Sequence, residues 1–359
     1  MQQKFRMFLY IIRPNRICVK ICDYVNQNTV YRCGIDLSER TVLEMSVIAK
    51  AGLLALAAVL LLPSAQTRKA AEPEPLVVVI QRQPEAPKQT IRVLRDGSAE
   101  ETALDTYLTQ VVLSEMPASF APEALKAQAV AAYTFACVKK AENAGKSYDL
   151  TSDPAVDQSF ITREKAKEKW GDKADEYSAK IENAVKSVKD YMITCGGTPI
   201  LAVYHAISSG KTEDCKEVWG KDIPYLKPVS SEGDKLAPSY LSSAEFTAEE
   251  LKQKLSEDID FTGDPAAWFS AEQRTDSGTL KTLKVCGKEV TGAKIRAALN
   301  LRSANFSVNY NSGKFVFTVR GYGHGVGMSQ YGACCMAKQG SNFKEILTHY
   351  YSGCKVEKV

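Results

Sequence analysis

The sequence predicts an α+β fold: mixed helices and short antiparallel strands around a groove, preceded by a transmembrane helix. Three observations predict it. Helical and strand periods follow one another without the strict alternation of a doubly wound sheet. Gly196-Gly197 separates two strand-like runs, the signature of a hairpin. A single apolar run, Ala51 to Leu62 (AGLLALAAVLLL), stands apart from the mixed pattern that fills the C-terminal part of the chain. The 359 residues allow one large domain or two small ones, and no internal repeat is visible.

Residues 1–44 form a leader with scattered cysteines and no clean period. It reads as a cytoplasmic leader or as a mis-assigned start, with Met45 opening a shorter signal-anchor. Residues 45–63 are the expected transmembrane signal-anchor. The uncharged stretch runs on to Thr67, roughly seventeen residues, near the lower limit for a bilayer span. Lys50 and the basic residues before it keep the N-terminus in the cytoplasm and send the remainder outside, as expected of a single-pass protein of the cell membrane. A cleaved signal peptide is the rival, because Pro63-Ser64-Ala65-Gln66 offers small residues near a cleavage point. Residues 64–89 are a proline-rich spacer, with Leu76 to Ile80 as a strand within it. Residues 90–359 are the outer domain.

Within that domain, Thr90 to Leu94 alternates as a strand. Asp105 to Glu115 has helical spacing at Leu108, Val111 and Val112. Met116-Pro117 ends this helix, since a residue before proline avoids the helical region. Pro122 opens the next helix, which runs to about Lys140 and is rich in alanine. Arg163 to Val188 reads as one solvated helix. Tyr191 to Cys195 and Ile200 to His205 read as the two hairpin strands. Ser230 to Pro265 is polar and reads as a connection between subdomains, with a helix at Ala248 to Leu255. Thr279 to Cys286 and Lys314 to Arg320 are strands. Thr291 to Leu299 is a short helix with a threonine cap. Helices at Ser329 to Lys338 and Phe343 to Tyr351 close the chain.

Net charge is +4, and the excess falls within the first fifty residues, so the outer domain lacks the basic stripe of a nucleic-acid groove. Of ten cysteines, three precede the apolar run and seven follow it. An odd outer number argues against a full disulfide framework. Cys334 and Cys335 are adjacent and poorly disposed to bond each other. Most of the seven are expected to be buried small apolar side chains.

Two blocks carry the candidate chemistry: SEMPASFAPEALKAQAVAAYTFA, Ser114 to Ala136, and GYGHGVGMSQYGA, Gly321 to Ala333. Glu115 sits at the C-terminal end of its helix, where the carbonyl dipoles disfavour an ionised carboxylate. Burial beneath Met116 and Phe120 pushes the same way. A glutamic acid kept protonated suits a general acid; an exposed helix-end glutamate is the alternative. His324 lies among four glycines that let backbone come close to a ligand, or it fixes a tight turn. The spacing is not that of a dinucleotide loop. His205, Ser208 and Lys211 follow a strand, at an edge that often carries binding groups. Gln158, Gln330 and Tyr331 are weaker contact candidates. His205 and Cys215 are two zinc-ligand types, too few for a four-coordinate site, so no metal or cofactor is expected. With three histidines and no nucleophile elbow, a serine or cysteine hydrolase fits poorly.

With YHAISSGKTED (Tyr204 to Asp214) as a third block, the chain from about Thr90 onward resembles the stage II sporulation protein D family, also called the amidase-enhancer family. The resemblance implies a lytic transglycosylase that cuts peptide-free peptidoglycan strands to anhydro-muramyl ends during sporulation engulfment. It implies Glu115 as the catalytic acid/base, with a wall amidase (stage II protein P) and a membrane protein (stage II protein M) as partners. Substrate contacts are expected at Tyr133, Gln158, His205, Ser208, Lys211, His324, Gln330 and Tyr331. Tyr133 departs from the family pattern, which carries arginine there. The rival is a non-catalytic glycan-binding module that stimulates a cell-wall amidase. A cysteine-based redox or metal sensor is a third reading.

Overall fold

The computed structural model describes residues 6–13, 16–22, 33–35, 89–153, 156–255 and 259–359. The chain forms two units, Met1–Gln81 and Arg82–Val359. In the first, β1 (Arg6–Arg13), β2 (Arg16–Cys22) and β3 (Cys33–Ile35) make an antiparallel sheet in that order, where the sequence suggested no period. The signal-anchor at 45–63, the strand at Leu76 to Ile80 and the spacer as far as residue 88 lie outside the described residues. Among the described residues, no helix is long and apolar enough to cross a membrane.

The second unit is α+β and opens with a hairpin, β4 (Thr90–Arg95) and β5 (Ser98–Ala103). Helix α1 (Leu104–Glu115) follows directly and buries Tyr107, Leu108, Val111 and Val112. Met116 ends it at φ −120°, ψ 139°, the extended geometry that Pro117 demands. Helix α2 (Pro122–Glu142) starts with its proline in the first turn. Ala124, Ala127, Ala131, Ala132 and Ala136 are fully buried along it, so other elements approach its backbone closely. A two-residue strand, β6 (Leu150–Thr151), adds to β4 in parallel.

The charged stretch at Arg163 to Val188 is two helices, α3 (Arg163–Trp170) and α4 (Ala174–Val188). Gly171, at φ +54°, caps the first and breaks the run. Helix α4 is not solvated all round: Ile181, Ala184, Val185 and Val188 are buried. Lys180 on it donates to the carbonyls of Ala118 and Phe120, bracing the turn that follows Glu115.

Strand β7 (Tyr191–Cys195) turns through Gly196-Gly197 into β8 (Thr198–Pro199). The expected second hairpin strand at Ile200 to His205 does not form. Only β9 (Tyr204–His205) is extended pairing backbone, and it pairs elsewhere. Helix α5 (Cys215–Trp219) is capped by Asp214.

The stretch read as a connection is the start of an inserted module. Strand β10 (Leu241–Thr247) leads through α6 (Ala248–Leu255) to a sheet of β11 (Phe269–Arg274), β12 (Leu280–Val285) and β13 (Lys288–Thr291). Then come α7 (Gly292–Ala298), capped by Thr291, and β14 (Phe306–Asn311) with β15 (Lys314–Arg320). Strand β15 lies between β10 and β14. Leu241 pairs with Arg320, and Gly321 N–H donates to the Tyr240 carbonyl, so the module leaves and re-enters the body at one neck. It has its own core, with Trp268 stacked on Phe315 and with Phe306 and Phe317 beneath.

The chain then returns to the first core. Strand β16 (Met328–Ser329) pairs in parallel with β9. Helix α8 (Gln330–Lys338) is capped by Ser329, and α9 (Phe343–Tyr350) carries a full capping box from Asn342 and Glu345. Strand β17 (Lys355–Lys358) completes the sheet β17-β7-β8. The seven cysteines of this second unit are free; Cys215, Cys334 and Cys354 are buried and the others are partly so.

Candidate active site

Glu115 is the last residue of α1, and the turn after it drops its side chain into a cleft of about 560 Å³. The cleft is lined by the end of α1, residues 156–159, strand β9, Trp219, the glycine-rich loop and Gln330. Burial drives the Glu115 carboxyl above its ordinary value. Gln330 Nε2 donates to Glu115 Oε2 at 2.9 Å, and the Ser159 backbone N–H also donates; both moderate the rise. The result is a carboxyl biased towards its acid form but still able to ionise.

Asp157, the other carboxylate in the wall, is committed. Its Oδ2 accepts the Thr151 N–H at 2.7 Å, and Oδ1 faces Lys139 Nζ at 3.3 Å. Gln158 is committed too. Its Oε1 accepts from Tyr204 at 2.7 Å and its Nε2 donates to the Ala132 carbonyl at 3.3 Å. It lines the cleft while bracing β9 against α2.

One peptide unit on each side of Val326 fixes both loop imidazoles. His205 Nδ1 lies 3.1 Å from the Val326 carbonyl and must donate to it. Its Nε2 is therefore unprotonated, and it has no protein partner. Val326 N–H donates to His324 Nδ1 at 3.1 Å, while the other ring nitrogen of His324 meets the Tyr204 carbonyl. Burial holds His205 down at about 4 and His324 at about 3, each disfavoured as a cation. The imidazoles stay neutral at ordinary pH, with ring centroids 5.7 Å apart. Of the two, only His205 keeps a free lone pair. The glycines permit this packing: a Cβ on Gly323 would strike His205 Cβ at 2.8 Å, and Gly323 sits at φ +111°.

Gln330 is held in turn by a buried network. Asp234 accepts from the Ser208 N–H and hydroxyl with Oδ2, and from Ser329 Oγ with Oδ1 at 2.7 Å. Ser329 caps α8, whose first residue is Gln330. The path from the Ser208 loop to Glu115 thus runs through Asp234, Ser329 and Gln330.

Residues 96–195 match the family described as stage II sporulation protein. The stage II sporulation protein D of Bacillus amyloliquefaciens is 38% identical over 265 residues, covering 73% of this chain and 76% of that protein. This chain belongs to the stage II sporulation protein D family. The family member from Bacillus subtilis (strain 168) is also 38% identical, over 264 residues. A protein named amidase enhancer from the same organism is 26% identical over 297 residues, which are 68% of this chain and 39% of that protein. Membership places the chain among sporulation proteins.

The fold brings Glu115, Gln158, His205, His324 and Gln330 to one cleft. It does not bring Tyr133, whose ring is buried on α2 with its hydroxyl beside Cys137, pushed up to about 12 by that burial. Tyr133 is not among the residues that line this cleft, whereas Phe135 of the same helix is. Tyr331 is also outside it, with its ring edge on Phe120 and its hydroxyl on the Leu236 carbonyl. Ser208 and Lys211 line a neighbouring cleft instead. Trp219 and Tyr322 were missed by sequence reasoning. Both line the Glu115 cleft and are 44% and 46% exposed, high values for such large rings. The Trp-Gly after YHAISSGKTED and the tyrosine inside the glycine run were the signals available.

Proposed function

We propose that this family member is a membrane-anchored lytic transglycosylase that cleaves peptide-free peptidoglycan strands during engulfment. The observation that carries the reading is that the Glu115 cleft contains one uncommitted carboxyl. Ordinary glycoside hydrolysis generally uses two carboxylates, the second to activate water or to attack. Asp157 is held by Lys139 and by a backbone N–H, which disfavours either role. A lytic reaction needs one group only.

Protonated Glu115 gives its proton to the bridging oxygen as the glycosidic C–O bond breaks. The carboxylate, steadied by Gln330 and the Ser159 N–H, then takes the proton of the muramyl residue's own primary hydroxyl. That oxygen closes on the anomeric carbon, and the acid is regenerated. The tethered nucleophile has a high effective concentration, so no activated water is required. Trp219 and Tyr322 offer apolar faces to sugar rings. The likeness to a protein named amidase enhancer supports a wall amidase as partner. On this reading stage II proteins P and M act with it, and residues 45–63 hold the domain outside the cytoplasmic membrane.

The test is the outer domain on peptide-free strands, compared with Glu115→Gln. The wild type is expected to release anhydro-muramyl ends. The variant is expected to lose about 10²–10⁴ in rate while keeping glycan binding and its melting temperature. A wild-type protein that pellets with glycan, stimulates an amidase and cuts nothing returns the reading to the binding module.

A further inference from the structure

Beside the Glu115 cleft lies a second one of about 710 Å³, between the inserted module and the loop that follows β9. The two clefts share Gly323 and His324. Its walls carry the cations Lys211, Lys281, Arg296 and Arg320 and the acids Glu213 and Glu217. Lys281 and Glu217 satisfy each other in an ion pair at 2.5 Å. Glu213 is buried, accepts from the Thr275 hydroxyl at 3.1 Å, and is biased by burial towards its neutral form.

Lys211, Arg296 and Arg320 remain, and among the described residues none has a carboxylate at ion-pair distance. Arg296, on α7, is the most telling. Its Nε donates to the Leu301 carbonyl at 3.3 Å, and burial lowers its pKa, offset only in part by the neighbouring Tyr322. A guanidinium stays charged at any working pH. Partly desolvated and unpaired, it is half of an ion pair whose other half is missing.

We infer that this second cleft is a subsite for a carboxylate on the glycan, the free lactyl group of a muramyl residue next to the cleaved bond, with Arg296 as its main partner. The inference rests on the glycan reading above. A strand stripped of peptides carries one such carboxylate on every muramyl residue. A strand that keeps its peptides has that group tied up as an amide, which leaves Arg296 unpaired. The cleft thereby supplies a physical reason for preferring peptide-free strands. Lys211 and Arg320 add positive field at the edges.

The experiment measures binding rather than cleavage. Full-length Glu115→Gln protein is titrated with peptide-free strands and with the same strands after reduction of their carboxylates to alcohols. Native strands are expected to bind about tenfold more tightly, the scale of one charge-assisted pair. Adding Arg296→Gln should bring the ratio close to one, and Arg296→Lys should restore part of it. Equal binding of native and reduced strands overturns the inference without any substitution, so a poorly folded Arg296 variant does not protect it. An unchanged ratio in a folded Arg296→Gln protein also overturns it. So does a phosphate-rich wall polymer that displaces native strands at equal charge through Arg296, which assigns the cleft to phosphate. A tenfold ratio with no anhydro product from the wild type keeps the subsite and removes the lyase.

Discussion

Val326 contributes no side-chain chemistry, yet its N–H and C=O set the tautomers of two histidines. That leaves a buried neutral imidazole at His205 and a single tuned acid at Glu115. Gln330 is the tuning residue. Its amide favours the ionised form of Glu115, so Gln330→Leu should raise the carboxyl further. The alkaline limb of kcat/KM then moves to higher pH, and the rate at the optimum falls about tenfold. A limb that stays in place contradicts the assigned contact. Trp219 acts on binding instead. In Trp219→Ala, KM is expected to rise about three- to tenfold with kcat little changed, the scale of one aromatic stacking contact. Glu115 and the glycine run were legible in the sequence because a pre-proline helix end and positive-φ glycines leave local marks. The position of Tyr133 outside the cleft lining left no mark, because helical spacing alone does not say which face of α2 meets the cleft. Trp219 and Tyr322 were invisible because exposure is a tertiary property.

At the scale of elements, helix ends were the readable features. Pro117, Pro122, Thr291 and Ser329 each mark a terminus by removing or supplying a hydrogen bond. The break between α3 and α4 hinged on one left-handed glycine inside a charged run, which the helical period overrode. The short strands of the module were harder still: β11 and β13 have mostly exposed residues, and their pairing is fixed by β12 between them. The Asp234 network joins elements far apart in sequence and leaves no local signal. Asp234→Ala strands the hydroxyls of Ser208 and Ser329 and loosens the start of α8. A loss of about 1–3 kcal/mol in unfolding free energy is expected, read by denaturant titration, together with weaker positioning of Gln330. A variant as stable as the wild type would show that the network is incidental.

Across the whole outer unit, two cores lie on either side of the histidine loop, and the module's single neck leads directly into it. Stability should carry the signature of the buried imidazoles. His205 is held at about 4 when folded, against 6.5 in an open chain. Between those values the unfolded chain binds a proton that the folded one refuses. Its contribution is therefore fully present above about 6.5 and is lost as pH falls towards 4, about 3 kcal/mol over the window. His205→Asn keeps a donor for the Val326 carbonyl and should flatten that acid limb by a similar amount in denaturant titrations at the two ends. An unaltered limb would mean that His205 is not the buried neutral group described. The measurement that reaches the central claim most directly is cleavage of peptide-free strands in heavy-oxygen water, followed by mass analysis of the new ends. A lone Glu115 passing its proton to the bridging oxygen and taking one back from the sugar predicts unlabelled ends, with each new muramyl end short of one water. Ends that carry the heavy oxygen would mean that water attacks, and that a second group activates it.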